Sequence, residues 1–465
     1  MRLILIDRSD EIRRNFFPLA LSRPLWELRC GITTLEEKLA AKLGIKIATE
    51  DTEATELKKS ANKFSECSEV SVAKNGADDI AYFVPDYMAP AFSWRRQEQG
   101  ARTKCPVNDM SALAGDDLIL MDPLVRAEDI SIRAKGKSEV GLDEQGRVFY
   151  AHIVKNDLKK LVANSIEDFI ASAKTHLPNV TCKFRTWEYL WDIVLANPEQ
   201  ITADFAAAGK CGIEGKVEKP GEILGSKTDI FVGPRARVHP MVVIDAENGP
   251  VYIDEGVEIQ PFSRIEGPCY IGKESILLGA KCRSGNTFGP CCRIGGEVEQ
   301  SIIHGYSNKY HDGFIGHSYI GEWVNLGALT TNSDLKNDYS NVSITLEGQG
   351  AINTGSTKVG SFIGDHTKTS IGTLLNTGCY IGAMAVVMAT GKPLPKFIPS
   401  FAWLVEGVVT KGFGRSRLYE TAKVAMSRRE RQWTPAEQAM WDAVFQMTAP
   451  ARDEAVRRGR KAMFR

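Results

Sequence analysis

Long hydrophobic runs are missing from this chain. No stretch nears the eighteen or so consecutive apolar residues of a membrane-spanning helix, so none is expected. An excess of one charge is missing too. Lys and Arg number 58, Asp and Glu 58, so no whole-chain field draws the protein to nucleic acid or an anionic membrane. Ten cysteines in 465 residues include no Cys-x-x-Cys pair, which excludes a disulfide framework and a zinc-knuckle spacing. The opening MRLILIDRSDEIRR turns charged too early for a signal peptide and has no small-residue cleavage site. The expectation is a reduced, cytoplasmic protein with neither nucleic acid nor membrane among its partners. Apolar residues at 43% and charged residues at 25% exclude wholesale disorder. The length fits two or three domains.

What is present is glycine, 41 residues concentrated in the second half, together with a repeat. From Val232 an aliphatic residue returns every six positions: Val232, Val238 and Ile244, then Ile253, Ile259, Ile265, Ile271 and Leu277. The register returns at Ile320 and Leu326 and at Ile381 and Val387, often with Gly directly after. A helix repeats at 3.6 and an exposed strand at 2, so period six fits neither. It fits a triangular coil in which each unit makes one short strand and one corner, three units close a turn, and the aliphatic residues stack along the axis. This hexapeptide pattern resembles the left-handed parallel β-helix of acyltransferases.

Breaks in a regular coil are where function is placed. Three polar stretches interrupt the repeat: Gly295–Gly313, Thr330–Tyr339 and Gly364–Thr369. Four of the seven histidines, His304, His311, His317 and His366, fall in this region. The segment His311-Asp312-Gly313-Phe314-Ile315-Gly316, followed by Ile320-Gly321-Glu322-Trp323-Val324-Asn325-Leu326-Gly327-Ala328, resembles the acetyltransferase part of bifunctional N-acetylglucosamine-1-phosphate uridyltransferase/glucosamine-1-phosphate acetyltransferases (GlmU-like). The resemblance implies His311 as catalytic base and Asn325 as substrate-binding amide. Neutral imidazole suits removal of a proton from an attacking amine. Lys309, Tyr310, Asn332 and Lys336 are further candidates for substrate contacts. Two positions depart from the family: Phe314 stands where it has Tyr, and Glu299 where it has a phosphate-binding Lys. These departures leave related amino sugars open as acceptors.

The N-terminal part begins with a buried strand, Leu3-Ile4-Leu5-Ile6-Asp7. Phe17-Pro18-Leu19-Ala20-Leu21-Ser22-Arg23-Pro24 then resembles the tail of the sugar-nucleotidyltransferase signature. The signature's glycines are absent between Asp7 and Asn15, and its final Lys falls on Leu25. Arg14, Arg23, Arg29 and Lys38 are the candidate nucleotide-binding cations. Asp122, ending the apolar run Leu118–Met121, is the candidate Mg²⁺ ligand, or else a turn cap before Pro123. Asp143–Val148 reads as a hairpin turn leading into a strand Phe149–Val154. Thr186–Asp192 starts a helix ending near Asn197-Pro198, with Trp187, Leu190, Trp191 and Val194 on its core face. Residues 50–78 are polar and poorly periodic.

After the coil, Pro393–Phe401 reads as a rigid exit and Leu418 onward as helical, with Thr434 capping and Pro435 first in the helix. Residues 415–465 hold 12 Lys and Arg against 6 Asp and Glu, a basic face that packs on the coil or meets phosphates. The expected architecture is an α/β nucleotidyltransferase-like domain (1–205), a linker (206–225), a left-handed parallel β-helix (226–400) and a helical tail (401–465). The family implies nucleotidyl transfer from an NTP to a sugar 1-phosphate with Mg²⁺, acyl transfer from acetyl-CoA to an amino sugar, and a homotrimer. Two other readings stay open: a nucleotide-sugar sensor or scaffold without chemistry, and a metal-dependent hydrolase of the γ-carbonic-anhydrase kind built on the histidines.

Overall fold

A computed structural model describes residues 1–7, 11–45, 80–98, 105–132 and 136–463; the polar stretch 50–78 lies outside the described residues. The chain divides into two compact units. One comprises residues 1–10, 23–27 and 35–187, the other 11–22, 28–34 and 188–465. No helix among the described residues is long and apolar enough to cross a membrane.

The first unit is built on a six-stranded sheet in the order Ile80–Phe83, Arg2–Ile6, Leu118–Met121, Val148–Ile153, Glu139–Leu142, Asn179–Thr181. The first three strands are parallel and every residue of Leu118–Met121 is buried, the burial expected of a continuous apolar run. Val148–Ile153 and Glu139–Leu142 add two antiparallel pairs, and Asn179–Thr181 closes the edge in parallel. Between the two antiparallel strands Asp143 Oδ1 accepts from the amides of Gln145 and Arg147 and shapes the hairpin turn. Helix Ile166–His176, capped by Ser165, lays Phe169 and Ala173 on the core formed by Ile4, Leu118, Leu120 and Ala151.

The second unit is the coil, a parallel left-handed β-helix whose three ladders follow the six-residue repeat. One ladder stacks Val232, Ile253, Ile271, Phe288, Ile303, Ile320, Ile363, Ile381 and Ile398. A second stacks Val217, Val238, Ile259, Leu277, Ile294 and then Lys309. The third runs from Ile223 through Ile244, Ile265, Cys282 and Val298 to Ile315. Lys309 apart, these inward residues form one continuous apolar core, and each fully buried aliphatic side chain contributes about 1.5–3 kcal/mol.

The coil is longer than the sequence boundaries. Gly212–Ile213, Lys216–Val217 and Glu222–Leu224 already pair with the coil above them, so the segment expected as linker is its first turn. At the other end Pro393–Phe401 does not leave the coil. Ile398 stacks on Ile381, Leu404 on Val387, and the antiparallel strand Val408–Thr410 closes the end. Apolar registry outweighs the prolines because they fall in corners, where no ladder amide is needed. The helix expected to stop near Pro198 instead runs over Leu190–Ala208 and ends at Gly209, with φ 60°. It lies on the coil: Phe205 meets Tyr252 edge-on at 6.2 Å and Trp191 meets Phe362 at 6.4 Å. The division of the chain accordingly falls after Trp187 rather than near residue 205. Thr434 caps helix Pro435–Met447 as expected.

Lys309 occupies an inward position and is 2% exposed. Burial lowers its pKa from 10.5 to about 8, with Asp312 pulling the other way. Lys368, half-buried on the outside of the same face, is lowered to about 7, again by burial and against Asp365. In both cases the unfolded chain holds a proton that the folded chain releases at lower pH. Between the folded and unfolded pKa values the unfolded state therefore binds more protons, and this contribution to stability rises with pH. The difference in urea-unfolding free energy between wild type and Lys309→Met is expected to shift steadily in favour of wild type from about pH 8 to pH 10. A difference independent of pH would show Lys309 to be charged normally.

Candidate functional site

Lys309 explains the local form of the polar corner that follows it. Its Nζ donates to the carbonyls of Gly295, at 2.8 Å, and His311. The ammonium thus ties down a corner from inside the coil where an aliphatic residue would only fill space. His311 itself is exposed, with the Tyr310 ring centroid 5.9 Å from its own. Among the described residues no side chain hydrogen-bonds its imidazole. Asn308, three residues earlier, faces outward, and Asn325 is its neighbour on the next coil. The two amides are linked, Asn308 Nδ2 donating to Asn325 Oδ1 at 3.1 Å. Asn325 keeps its own amide nitrogen toward solvent, so a base and an amide donor are both open to a ligand.

The other candidates on the coil are placed differently. Lys309 and Asn332, expected at the substrate, point inward. Asn332 Nδ2 donates to the Gly316 carbonyl and to Ser318 Oγ, both at 3.0 Å, and its Oδ1 accepts from the Gly316 amide at 2.9 Å. Inside a coil such an amide must have all its partners supplied by the chain. Lys336 donates at 2.8 Å to Ser340 Oγ and to the Asn341 carbonyl, bracing its own loop. The remaining three histidines lie apart, His304 within the strand Ile302–Gly305 and His317 and His366 on separate corners. His304 is 3.1 Å from the Tyr319 hydroxyl, His317 is 2.7 Å from Asp334, and His366 stacks on Trp323 at 6.1 Å between Trp433 and Trp441. His317 helps hold the Asp334 carboxyl below its ordinary value against burial, which raises it. No group of three metal-binding side chains exists among the described residues.

The four candidate nucleotide-binding cations separate. Arg23 and Lys38 belong to the first unit, Arg14 and Arg29 to the second. Arg29 donates its Nε to the His304 carbonyl at 3.2 Å and its amide to the Tyr319 hydroxyl at 2.8 Å. Its loop is pinned to the long helix. Asn197 Oδ1 accepts from the Gly31 amide at 2.7 Å, and Asp204 Oδ2 accepts from the amides of Ile32, at 2.8 Å, and Thr33, at 3.2 Å. Gly31 has φ 80°, and a Cβ there would fall 2.5 Å from the Asp204 carboxylate. Ser22 Oγ donates to Asp365 Oδ2 at 2.5 Å. Residues 17–22, the part of the signature-like stretch that belongs to the second unit, are thereby tied to the coil. Arg14 stays exposed.

Asp122 does not fit a metal site. Its Oδ1 accepts from the Leu124 amide at 2.9 Å, the turn before Pro123, and its Oδ2 receives the Arg147 guanidinium at 3.0 and 2.8 Å. Its carboxylate is already paired with a cation, and among the described residues no cluster of metal-binding side chains surrounds it, so it has little left to offer Mg²⁺.

Residues 3–56 match the family model for sugar nucleotidyl transferases. The chain is 38% identical over 89 residues to a bifunctional sugar-1-phosphate nucleotidylyltransferase/acetyltransferase of Sulfurisphaera tokodaii, a match covering 19% of this chain and 22% of that protein. It is 26% identical over 212 residues to the bifunctional protein GlmU of Synechococcus elongatus, covering 45% and 40%. It is 28% identical over 146 residues to that of Rippkaea orientalis, covering 30% of each. The matches thus span less than half the length of these relatives. Among solved structures, the match to the UDP-N-acetylglucosamine acyltransferase of Francisella novicida covers 51% of this chain and 90% of that one at 15% identity, with a TM-score of 0.26. The family match, the relatives and the coil together fit a GlmU-like protein.

The Asp122–Arg147 pair is mostly buried, with side-chain exposures of 9% and 18%. Asp122→Ala is expected to destabilise the first unit by about 1.5–3 kcal/mol, the scale of charged hydrogen bonds. Arg147→Ala should cost a similar amount and the double variant less than their sum. Additive losses in a double-mutant cycle would show that the pair does not act as a unit.

Proposed function

We propose that the chain is a transferase of sugar-nucleotide biosynthesis, cytoplasmic and homotrimeric, whose coil transfers an acyl group from acyl-CoA to the amine of an amino sugar. One observation carries the reading: His311 stands exposed on a corner braced from within by Lys309, beside the outward pair Asn308 and Asn325. The sugar amine attacks the thioester carbonyl carbon, forming the C–N bond. His311 takes the proton released from nitrogen, the C–S bond breaks, and the coenzyme leaves as its thiol after protonation. Asn325 orients the sugar by its free amide, and Tyr310 lines the approach. The unaccompanied imidazole of His311 favours a site completed by a neighbouring subunit, the arrangement a trimer supplies.

The first unit is assigned the nucleotide, with Lys38 the candidate cation it offers, since Arg23 is buried at 2% exposure. A relative of the chain is named for both nucleotidyl and acetyl transfer, residues 3–56 match the sugar nucleotidyl transferase family model, and the activity expected of this half is transfer from an NTP to a sugar 1-phosphate. The engagement of Asp122 by Arg147 favours a second reading for this unit, binding of a nucleotide or nucleotide sugar without turnover.

His311→Ala is expected to lower acetyl-CoA-dependent acylation of amino sugars by 10²–10⁴-fold, the usual contribution of a general base, with an unchanged melting temperature. Release of free coenzyme thiol measures it. Full activity in the variant would sink the assignment. Asn325→Ala should instead raise KM for the sugar with little change in kcat.

A further inference from the structure

The outward positions of the second ladder, coil after coil, are Arg293, Asn308, Asn325 and Lys368. Coils lie about 4.8 Å apart, so these side chains form a strip some 14 Å long. A fifth group joins it from the C-terminal region: Arg429 Nη2 donates to Asn308 Oδ1 at 3.3 Å. The cations have only neutral partners. Arg293 donates to the carbonyls of Glu274 and Cys292, both at 3.0 Å, and Lys368 donates to the carbonyl of Trp323. Among the described residues none of the three has a carboxylate within ion-pair distance. The acidic groups nearby are turned elsewhere. Glu274 pairs with Arg235 at 2.8 Å, and Asp365 accepts from Ser22 Oγ at 2.5 Å and from the Glu322 amide at 2.8 Å.

Arg429 is half-buried, and its Nε is buried with no hydrogen-bond partner among the described residues. Burial, then the positive charges of Arg293 and Arg428, hold its pKa below the ordinary value. Two guanidiniums and an ammonium gathered partly out of water, with like charges as neighbours, are unfavourable unless an anion joins them.

The geometry points to a phosphate-binding strip. Arg293 and Arg429 would hold one phosphate group, Lys368 a second, and the Asn308–Asn325 amides would lie between. Paired guanidiniums match a phosphate dianion, and a span of three coils exceeds what one carboxylate can fill. The strip stands on its own residues. Its ligand, a coenzyme A ester or a sugar phosphate, rests on the acyl-transfer reading above.

Isothermal titration of the full chain with inorganic pyrophosphate, coenzyme A, glucosamine 1-phosphate and the phosphate-free pantetheine tests it. At least one phosphate ligand is expected to bind, pantetheine at least 10-fold more weakly than coenzyme A. Arg293→Gln and Arg429→Gln should each weaken phosphate binding 10-fold or more at an unchanged melting temperature. If Arg429→Gln lowers melting, Arg293→Gln alone decides. At pH 8 binding should take up a proton, measured in two buffers of different ionisation enthalpy, and Lys368→Met should abolish that uptake. Tighter binding of coenzyme A assigns the strip to the acyl donor, tighter binding of glucosamine 1-phosphate to the acceptor. Affinities unchanged in the arginine variants, no phosphate binding at all, or pantetheine binding as tightly as coenzyme A would overturn the strip. Acyl transfer by a wild type whose phosphate affinity ignores the variants sinks the strip alone. Arginine-dependent phosphate binding with no transfer to any amino sugar sinks the acyl-transfer reading alone.

Discussion

Everything in the second unit depends on one constraint, that each short strand must place a side chain into the axis above its equivalent one coil earlier. Where the chain obeys it with Ile, Val or Leu, the coil is a continuous apolar stack. Where it breaks the rule, the break is local and hydrogen-bonded. Lys309 enters the axis with its Nζ donating to two carbonyls, and Asn332 with its amide bonded to a carbonyl, a hydroxyl and a backbone amide. A buried ammonium is costly even so, which shows in its lowered pKa. The same bonds brace the corner that carries His311, so an unfavourable core residue and an exposed candidate base belong to one device.

A second consequence of regular stacking appears at the corners. Tyr306, Trp323 and His366 each adopt positive φ, at 54°, 59° and 60°. For side chains this bulky the conformation costs of order 1 kcal/mol or more. The stacked corners return part of it as ring contacts, 4.5 Å between Tyr306 and Trp323. The C-terminal helices complete the ladder: Trp433 and Trp441 meet His366, and Arg431 donates to the Tyr306 hydroxyl at 2.8 Å. The basic tail is therefore largely a cover for an aromatic corner, and Arg429 is brought to the outer strip by that packing.

The long helix has an equivalent role on another face. Asn197 and Asp204 hold residues 31–33 by their backbone amides. A loop that gives its amides to a helix has none to give to a phosphate at those positions.

Period six by itself determined the coil, its three ladders and most of its core, because inward stacking is a local rule that each six-residue unit obeys separately. Alternating apolar strands and the Thr434-Pro435 cap were legible for the same reason, as was the exposed His311 heading a break in the repeat. Direction at a break was not legible. Lys309 and Asn332 look like surface residues in sequence because polarity normally means solvent, and only the registry with Ile294, one coil away, turns Lys309 inward. Nor could the sequence say that Asp122 answers to Arg147, that Pro198 sits within a helix, or that residues 11–22 and 28–34 belong with the coil. Each depends on contacts between segments far apart in the chain, and such contacts leave no period to read. The strip of Arg293, Asn308, Asn325, Lys368 and Arg429 is of this kind: five ordinary surface residues become one charged surface only when the coils stack and the tail folds back.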